Sequence, residues 1–256
     1  MRKRIDRGTG RRSPFTGIDI DVHVNPVVMG HRGAPSCAPE NTPASFAAAA
    51  VAGAEWVELD LRRGRDGTLV VHHDPRTWDG VPLVELDVTA LAERGVWALD
   101  EILERLPPGL GVNVEVKNLP GEPDYDEEQQ IVGLLTDLLR TVIGQRPLMT
   151  SSFNPLTVQA LAASLVGVPT GLLHGPGLRV DAASEFALQF GASVLCPHLD
   201  AQPLDAETVS AVRDSGLAVM VWVVDDPAEA VRLAVAGVDA LCTNDPGGLV
   251  AALRDH

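Results

Sequence analysis

Short apolar runs alternate with Ala- and Leu-rich segments of helical period along the chain from Val27 onward. This alternation is typical of parallel α/β folds, in which each strand is followed by a helix. Several runs are apolar at every position, which indicates strands covered on both faces. The pattern predicts nine strands, at Val27–Gly30, Trp56–Leu61, Leu69–His72, Val112–Val116, Leu148–Ser151, Thr170–Leu173, Ser193–Cys196, Ala218–Val223 and Ala240–Cys242. The helices predicted between them include Pro43–Ala52, Asp100–Leu106, Glu127–Thr141 and Ala228–Ala236.

One of these strands cannot run parallel to the strand before it. The segment between Leu61 and Leu69 is short and contains the tight-turn signal Asp66-Gly67. A parallel crossover needs about a dozen residues or more, so Leu69–His72 is predicted to return as a small hairpin insertion after the second barrel strand. The other eight strands predict a single (β/α)₈ TIM barrel. The main alternative, an open doubly wound sheet, would carry a Gly-rich phosphate loop, and Gly30-His31-Arg32-Gly33 is not one.

The first 25 residues differ in composition from the barrel domain, which is predicted to span residues 26–256. Six of the first twelve residues are Lys or Arg, and Arg11-Arg12 faintly resembles a twin-arginine export signal. Such a signal needs an uninterrupted apolar stretch next, which Asp19, Asp21 and His23 interrupt. We therefore predict a disordered tail over residues 1–25, no membrane-spanning segment and a cytoplasmic protein.

The formal net charge of −15 argues against nucleic acids and anionic membranes as partners. A small molecule is the expected partner, and an anionic one would need local positive charge from a metal or from a few Arg and Lys residues. Cys37, Cys196 and Cys242 have no metal-binding spacing and are expected to be small buried side chains in a reducing compartment. No pattern in the chain specifies an oligomeric state.

Polar residues gather where the predicted barrel strands end, the usual place of the active site in such barrels. They are His31 and Arg32 after the first strand, Glu58 and Asp60 on the second, His72, His73 and Asp74 ending the hairpin, and Glu115 and Lys117 on the third. Residues two apart on a strand face the same way, so Glu58 and Asp60 point together. A cation such as Mg²⁺ or Ca²⁺ would relieve the repulsion of such carboxylates. One such pair alone is more often a structural ion pair, but charged groups at successive strand ends favour a site.

These residues resemble the signature of the glycerophosphodiester phosphodiesterase family. Any one matching motif is weak, but the set keeps the family order and covers nearly everything from Val27 to the C-terminus. The motifs are Gly30-His31-Arg32-Gly33, Pro39-Glu40-Asn41-Thr42, Glu58-Leu59-Asp60, Asp66-Gly67, His73-Asp74, Glu115-Val116-Lys117, Ser152-Phe153, Trp222 and Thr243-Asn244-Asp245-Pro246.

The resemblance implies a metal-dependent enzyme that cleaves glycerophosphodiesters to glycerol 3-phosphate and an alcohol. The residues that it implies are the ligands of a divalent cation, Mg²⁺ or Ca²⁺ (Glu58, Asp60 and Glu115), the general acid–base pair (His31 and His73), and the substrate-binding residues (Arg32, Lys117 and Trp222). Glu40 and Asn41 would support the site from the start of the first helix. The chemistry agrees, because histidine serves as acid or base near neutral pH.

The chain departs from the family pattern at three positions. Gly64 replaces a Thr before the Asp-Gly turn, Asp225 replaces the Asn of Trp-x-x-Asn, and Asn244 replaces the Asp of Thr-Asp-x-Pro. These departures affect no proposed ligand or catalytic histidine, so they bear on substrate preference. The short segment Pro75–Trp97 leaves little room for a separate cap over the site. His198, at a strand end, is either structural or a pocket residue.

Two alternative functions stay open at this point. A lysophospholipase D-like phosphodiesterase would require an apolar groove for an acyl chain. A catalytically silent phosphoester-binding protein would be expected to lack a histidine or a metal carboxylate, and none is missing.

Overall fold

Eight parallel strands close into a barrel in the computed structural model, which describes residues 25–254. The strands of the whole sheet are β1 Val27–Gly30, β2 Trp56–Arg63, β3 Leu69–Val71, β4 Trp97–Ala98, β5 Gly111–Val116, β6 Leu148–Ser152, β7 Thr170–His174, β8 Val194–Pro197, β9 Ala218–Val221 and β10 Ala240–Thr243. β1 pairs in parallel with both β10 and β2, which closes the ring, while β3 and β4 lie outside it. The predicted (β/α)₈ barrel is confirmed.

Helices surround the barrel and follow its strands in sequence. They are α1 Pro43–Val51, α2 Val88–Ala92, α3 Leu99–Arg105, α4 Gln130–Leu139, α5 Pro155–Ser164, α6 Val180–Gln189, α7 Ala206–Asp214, α8 Pro227–Ala236 and α9 Pro246–Arg254. Thr42, Asp205 and Asp226 each cap a helix by accepting a hydrogen bond from a backbone N–H in its first turn. These caps fix where the loops above the strands end and the helices begin.

The predicted hairpin is also confirmed. β3 runs antiparallel to β2, with Leu61 paired to Val71 and Arg63 paired to Leu69. The chain then forms a single 3₁₀ turn at Leu83–Glu85, followed by α2 and by β4, which pairs antiparallel with β3. The sequence pattern revealed neither α2 nor β4, because elements of five and two residues are too short to show a period.

β9 ends two residues before its predicted limit at Val223. The carbonyl of Trp222 accepts a hydrogen bond from Leu199 N at 2.7 Å, toward the residues that follow β8. Val224 N instead donates to the carbonyl of Cys242 in β10 at 2.8 Å. The backbone therefore leaves the regular ladder at Trp222, which a continuous apolar run in the sequence does not reveal.

Alternate residues of the barrel strands share its interior, as the strand period of two requires. An apolar cluster that includes Met29, Trp56, Met149 and Met220 fills part of this interior. Gly111 leaves room for it, because a Cβ there would lie 2.3 Å from the Trp56 ring. Two larger apolar clusters contain residues from the strands together with residues from the surrounding helices. Apolar side chains thus pack on both faces of the barrel strands. The positions that they occupy determine where polar side chains can lie.

Asn25 is the first residue described, and its side-chain amide donates to the carbonyl of Leu253 in α9 at 3.0 Å. The rest of the predicted tail, residues 1–24, lies outside the described residues. Between residues 25 and 254, no helix is both long enough and apolar enough to cross a membrane. Cys196 and Cys242 are buried as expected. The prediction was wrong for Cys37, which is exposed because it lies in the turns between β1 and α1 and not in a strand.

Candidate active site

The interior positions change from apolar to polar toward the carboxyl ends of the strands. We call this end the polar mouth and define it by His31, Glu58, Asp60, Glu115, Lys117, Trp222 and Asn244. Each of these lies an even number of positions from an interior residue of its own strand; for example, Trp56, Glu58 and Asp60 follow one another on β2. The two-residue period of the strands therefore positions both the core residues and the site residues.

Three buried carboxylates form the centre of the polar mouth. Glu58, Asp60 and Glu115 are 3%, 0% and 6% exposed, and they offer oxygen atoms that lie within 4.8 Å of one another. They meet because β2 and β5 pair in parallel with Asp60 opposite Glu115. Burial, followed by the charges of Asp60 and Glu115, raises the pKa of Glu58 well above its ordinary value.

Lys117 balances part of this negative charge. Its Nζ lies 2.9 Å from Asp60 Oδ1 and donates a hydrogen bond to Glu115. Burial alone would lower the pKa of Lys117, but the charges of Glu115 and Asp60 outweigh it and raise the pKa to about 12. Burial alone would raise the pKa of Asp60, but Lys117 and Arg32 outweigh it and lower the pKa. Asp60 and Lys117 are therefore both charged at neutral pH.

The donor set fits a hard divalent cation. Glu58 Oε1 is buried and accepts no hydrogen bond from any described residue. Carboxylate oxygens are the ligands that Mg²⁺ and Ca²⁺ prefer, and a cation would relieve the repulsion that raises the Glu58 pKa. The structure thus brings together the three carboxylates predicted as metal ligands, in a cluster that could bind a divalent metal.

Arg32 holds the turn after β1 against these carboxylates. Its φ is +55°, its backbone N donates to Glu58 Oε2 at 2.8 Å, and its Nε lies 3.2 Å from Asp60 Oδ2. Burial lowers the pKa of Arg32, but Asp60 and Glu58 outweigh burial and raise it. The turn also requires Gly33, where φ is +93° and a Cβ would lie 2.4 Å from Ser45 Oγ.

Glu40 and Asn41 contact this group from the start of α1, where supporting residues were expected. Glu40 accepts two hydrogen bonds from Arg32 Nη1, at 2.9 and 3.1 Å. Asn41 has a φ of +57°, and its Nδ2 donates to Asp60 Oδ2 at 2.8 Å. The loop before α1 therefore fixes the direction of both Arg32 and Asp60.

His31 directly follows β1 and is partly buried at the polar mouth. Its Nδ1 lies 2.8 Å from Asn244 Oδ1, and its backbone N donates to the carbonyl of Thr243 at 2.8 Å. Burial is the largest influence on His31 and lowers its pKa, against the raising effect of the hydrogen bond to Asn244. The neutral imidazole is therefore favoured near neutral pH.

His73 approaches the site from the hairpin and is more open, with 38% of its side chain exposed. Its Nδ1 lies 2.8 Å from Asp74 Oδ1. It is close enough to the carboxylates for its charge to contribute, after Lys117 and Arg32, to the lowered pKa of Asp60. The neighbouring His72 has a different contact, with its Nε2 3.2 Å from the carbonyl of Arg76.

Arg62 supports this hairpin, a role that was not predicted from the sequence. The side chain is 2% exposed, and its Nε donates to the carbonyl of His73 at 2.7 Å. Its Nη1 donates to both carboxylate oxygens of Asp124 at 2.9 and 2.8 Å and to Glu122 Oε2 at 2.9 Å. An arginine in an Arg-Arg-Gly-Arg-Asp-Gly turn segment is typical of solvated surface, so only the structure reveals this contact.

Aromatic residues border the carboxylate cluster, and we call Phe153, His198 and Trp222 the aromatic wall. Trp222 Nε1 donates to the carbonyl of Cys196 at 2.8 Å, which orients the ring. The ring packs edge-on against Phe153 and His198, with centroids 5.3 and 4.7 Å apart. Lys117 Nζ lies 5.8 Å from the Phe153 centroid. His198 therefore packs with Trp222 at the mouth.

Two of the three departures from the family pattern contact each other. Asp225 Oδ2 accepts a hydrogen bond from Asn244 Nδ2 at 2.8 Å, and Asn244 Oδ1 in turn contacts His31. The sequence related these positions only to substrate preference. Their partnership was not apparent because nineteen positions separate them, and the parallel pairing of β9 with β10 brings the ends of these strands together.

Known proteins share this architecture. A structure from Agrobacterium tumefaciens described as a glycerophosphoryl diester phosphodiesterase superposes with a TM-score of 0.77 at 23% identity, over 91% of this chain and 99% of that one. A phosphodiesterase from Oleispira antarctica, solved in complex with the product sn-glycerol-3-phosphate, superposes with a TM-score of 0.73 at 25% identity, over 90% and 97% of the two chains.

Comparison of amino-acid sequences also finds glycerophosphodiester phosphodiesterases. A glycerophosphodiester phosphodiesterase from Caldanaerobacter subterraneus subsp. tengcongensis is 29% identical over 89% of this chain and 98% of its own length. Another, from Bacillus subtilis, is 27% identical over 86% of this chain and 84% of its own length. The profile of the Glycerophosphoryl diester phosphodiesterase family matches residues 31–248. Its match begins at His31 and spans every residue of the polar mouth, so the chain belongs to this family.

Proposed function

We propose that the protein is a metal-dependent phosphoric diester hydrolase that cleaves glycerophosphodiesters to glycerol 3-phosphate and an alcohol. The observation that carries this proposal is the buried carboxylate cluster, with one histidine after β1 and another after β3, the second strand of the hairpin. The relatives named as glycerophosphodiester phosphodiesterases, and the relative solved with sn-glycerol-3-phosphate, support the substrate class. The cytoplasm is the proposed compartment, where the free thiols of Cys196 and Cys242 would stay reduced.

The cation would be held by Glu58, Asp60 and Glu115, and Mg²⁺ and Ca²⁺ are the candidates. When bound there, it would neutralise negative charge on the phosphoryl oxygens. Arg32 and Lys117 are proposed to bind the remaining phosphate oxygens, because both already extend their charged ends into the carboxylate cluster. Their positive charges would then stabilise the negative charge that develops as the phosphodiester is cleaved.

His31 and His73 are proposed to move the protons. Cleavage forms a new bond from phosphorus to the attacking oxygen, which loses its proton to one imidazole. The bond from phosphorus to the departing alkoxide breaks, and the other imidazole donates the proton that makes this alkoxide an alcohol. The attacking oxygen belongs either to water or to a neighbouring glycerol hydroxyl, which would first give a cyclic phosphate. The aromatic wall, with Trp222 at its centre, would bound the pocket beside the phosphate.

A substrate panel tests this proposal. Purified protein is incubated with glycerophosphocholine, glycerophosphoethanolamine or a lysophospholipid in the presence of Mg²⁺ or Ca²⁺, and glycerol 3-phosphate and free alcohol are measured. We expect turnover of the glycerophosphodiesters, and no turnover by Asp60→Asn, which controls for contaminating enzymes. Turnover of the lysophospholipid alone would instead identify the lysophospholipase D-like activity. If folded wild-type protein cleaves none of the three, the proposal is wrong and a binding function replaces it.

A further inference from the structure

We propose that Asp225 and Asn244 form a positioning relay that fixes His31 with hydrogen on Nδ1 and reserves its Nε2 for proton exchange. This inference rests on the proposed function, because it defines how His31 takes part in that reaction. It is carried by one continuous chain of hydrogen bonds that runs from the end of β9, across the end of β10, to the end of β1.

The relay begins at the carboxylate of Asp225, all of whose observed partners are donors. Its Oδ1 accepts from Thr243 Oγ1 at 2.9 Å and from the backbone N of Asn244 at 2.7 Å. Its Oδ2 accepts from the side chain of Asn244 at 2.8 Å. A carboxylate only accepts hydrogen bonds, so the atom of Asn244 that faces Asp225 must be the donating Nδ2.

The orientation of the Asn244 amide then determines the proton on His31. With Nδ2 directed at Asp225, the atom that faces His31 is Oδ1, 2.8 Å from Nδ1. A carbonyl oxygen cannot donate, so His31 Nδ1 must carry the hydrogen in both the neutral and the charged imidazole. In the neutral ring, Nε2 therefore holds the lone pair.

This arrangement restricts proton exchange at His31 to Nε2. The neutral ring can take the proton of the attacking hydroxyl only at Nε2, and the imidazolium that results keeps its Nδ1–H on Asn244. The oxygen that loses this proton forms the new bond to phosphorus. The matching proton for the departing alkoxide must then come from a different group, and His73 is the proposed donor. Asn244 and Asp225 are positioning residues, because they act through the ring of His31.

The tautomer itself gives the first test. Long-range proton–nitrogen NMR spectra of ¹⁵N-labelled full-length protein are recorded at pH 8, and the His31 signals are identified by their loss in His31→Gln. We expect a protonated Nδ1 and an Nε2 that carries the lone pair. A proton on Nε2, or an averaged mixture of the two tautomers, would overturn the relay. This readout does not depend on turnover, so it decides the inference even if the substrate panel shows no activity.

The second test exchanges the carboxylate at position 225 and the amide at position 244. Asp225→Asn keeps the shape but releases the amide of Asn244 to rotate, so kcat should fall about 10–100-fold with little change in KM. Adding Asn244→Asp should recover most of the loss, because a carboxylate at position 244 again accepts from His31 Nδ1. A double variant that is no more active than Asp225→Asn would count against the relay.

Two further variants separate positioning from a general structural effect. Asp226→Asn makes the same chemical change one residue away, where the side chain caps α8 by accepting from Ala228 N, and it should leave kcat and the His31 spectrum unchanged. In a His31→Ala background, Asp225→Asn should have no further effect on kcat, because the relay has no ring to orient. A loss that multiplies in that background would show a structural role and overturn the inference.

Discussion

The two sides of the polar mouth are built in different ways. The side formed by β1, β2 and β5 carries charged groups, and every one of them contacts another charged group or a polar residue of a loop. The side formed after β6, β8 and β9 is the aromatic wall, whose members contact one another ring to ring. The charged groups and the rings therefore come from separate strands of one barrel.

This difference has a consequence for stability and for substrate choice. Buried charges cost free energy unless they are paired, so the charged side depends on exact partners such as Asn41 and Lys117. A packed aromatic ring tolerates replacement by a side chain of similar volume at a smaller loss of folding free energy. We expect perturbations of the charged side to abolish turnover, and perturbations of the aromatic wall to change which substrates bind well.

Removal of divalent metal should have the largest effect. Excess EDTA should reduce turnover by at least about a thousandfold, because without a cation the cluster of Glu58, Asp60 and Glu115 repels the anionic phosphate. Metal analysis confirms that the protein is metal-free, and added Mg²⁺ or Ca²⁺ should restore the rate and raise the Tm. Full turnover in metal-free protein would contradict the assignment of the three ligands.

Loss of either proposed acid–base histidine should have the next largest effect. His31→Ala and His73→Ala should each lower kcat by at least roughly a hundredfold while the circular dichroism spectrum stays unchanged. The double variant should lose less than the product of the single losses, since groups that act together are not additive. His72→Ala is the matched control, because His72 faces the carbonyl of Arg76, and its effect should be small. If His72 matters and His73 does not, the assignment of His73 fails.

A change in the aromatic wall should have a moderate effect of another kind. Trp222→Leu should raise KM about tenfold, which corresponds to about 1.4 kcal/mol of binding, with a smaller change in kcat. Comparison of choline and ethanolamine substrates would show whether the wall discriminates head groups. Trp78→Leu is the control, because Trp78 is 82% exposed and does not belong to the aromatic wall. A drop in kcat without a rise in KM would place Trp222 with the charged side.

The smallest expected effect concerns the stability of the metal-free protein. The pKa of Glu58 is raised by burial and by its acidic neighbours, so the folded state holds this proton more tightly than the unfolded state. Ionised Glu58 therefore destabilises the fold above its folded-state pKa, and the penalty vanishes below the unfolded pKa of about 4.3. In EDTA, Glu58→Gln should raise the Tm at pH 8 by roughly 2–4 °C and leave it unchanged at pH 4. A lower Tm at pH 8 would show that the charge is already compensated without metal.

Much of this architecture could be predicted from the sequence, because it depends on the periodicity of apolar residues and on the lengths of the connections between strands. The alternation of strands and helices predicts the barrel, and the short Asp66-Gly67 connection predicts the hairpin. The spacing of Glu58 and Asp60 predicts that both point into the mouth, since a strand has a period of two. The family resemblance supplies roles, and the structure brings the carboxylates together as those roles require.

What the sequence could not predict depends on contacts between distant segments. Arg62 is in a run of arginines that is typical of surface, yet it is buried on Asp124 and the carbonyl of His73. Asp225 and Asn244 each look like a local departure, and only the joining of β9 and β10 makes them partners. Such contacts involve side-chain direction and loop path, which carry no periodic signal.

Arg62 also limits how this protein can be redesigned. It joins the backbone of His73 to Glu122 and Asp124 in the loop between β5 and α4, so an insertion in that loop would displace the hairpin as well. A library that aims at new head groups should therefore keep the length of that loop fixed. The residues from Leu199 to Ala201 are the better place for variation, because Leu199 N donates to the carbonyl of Trp222 and the segment is distant from this arginine in the chain.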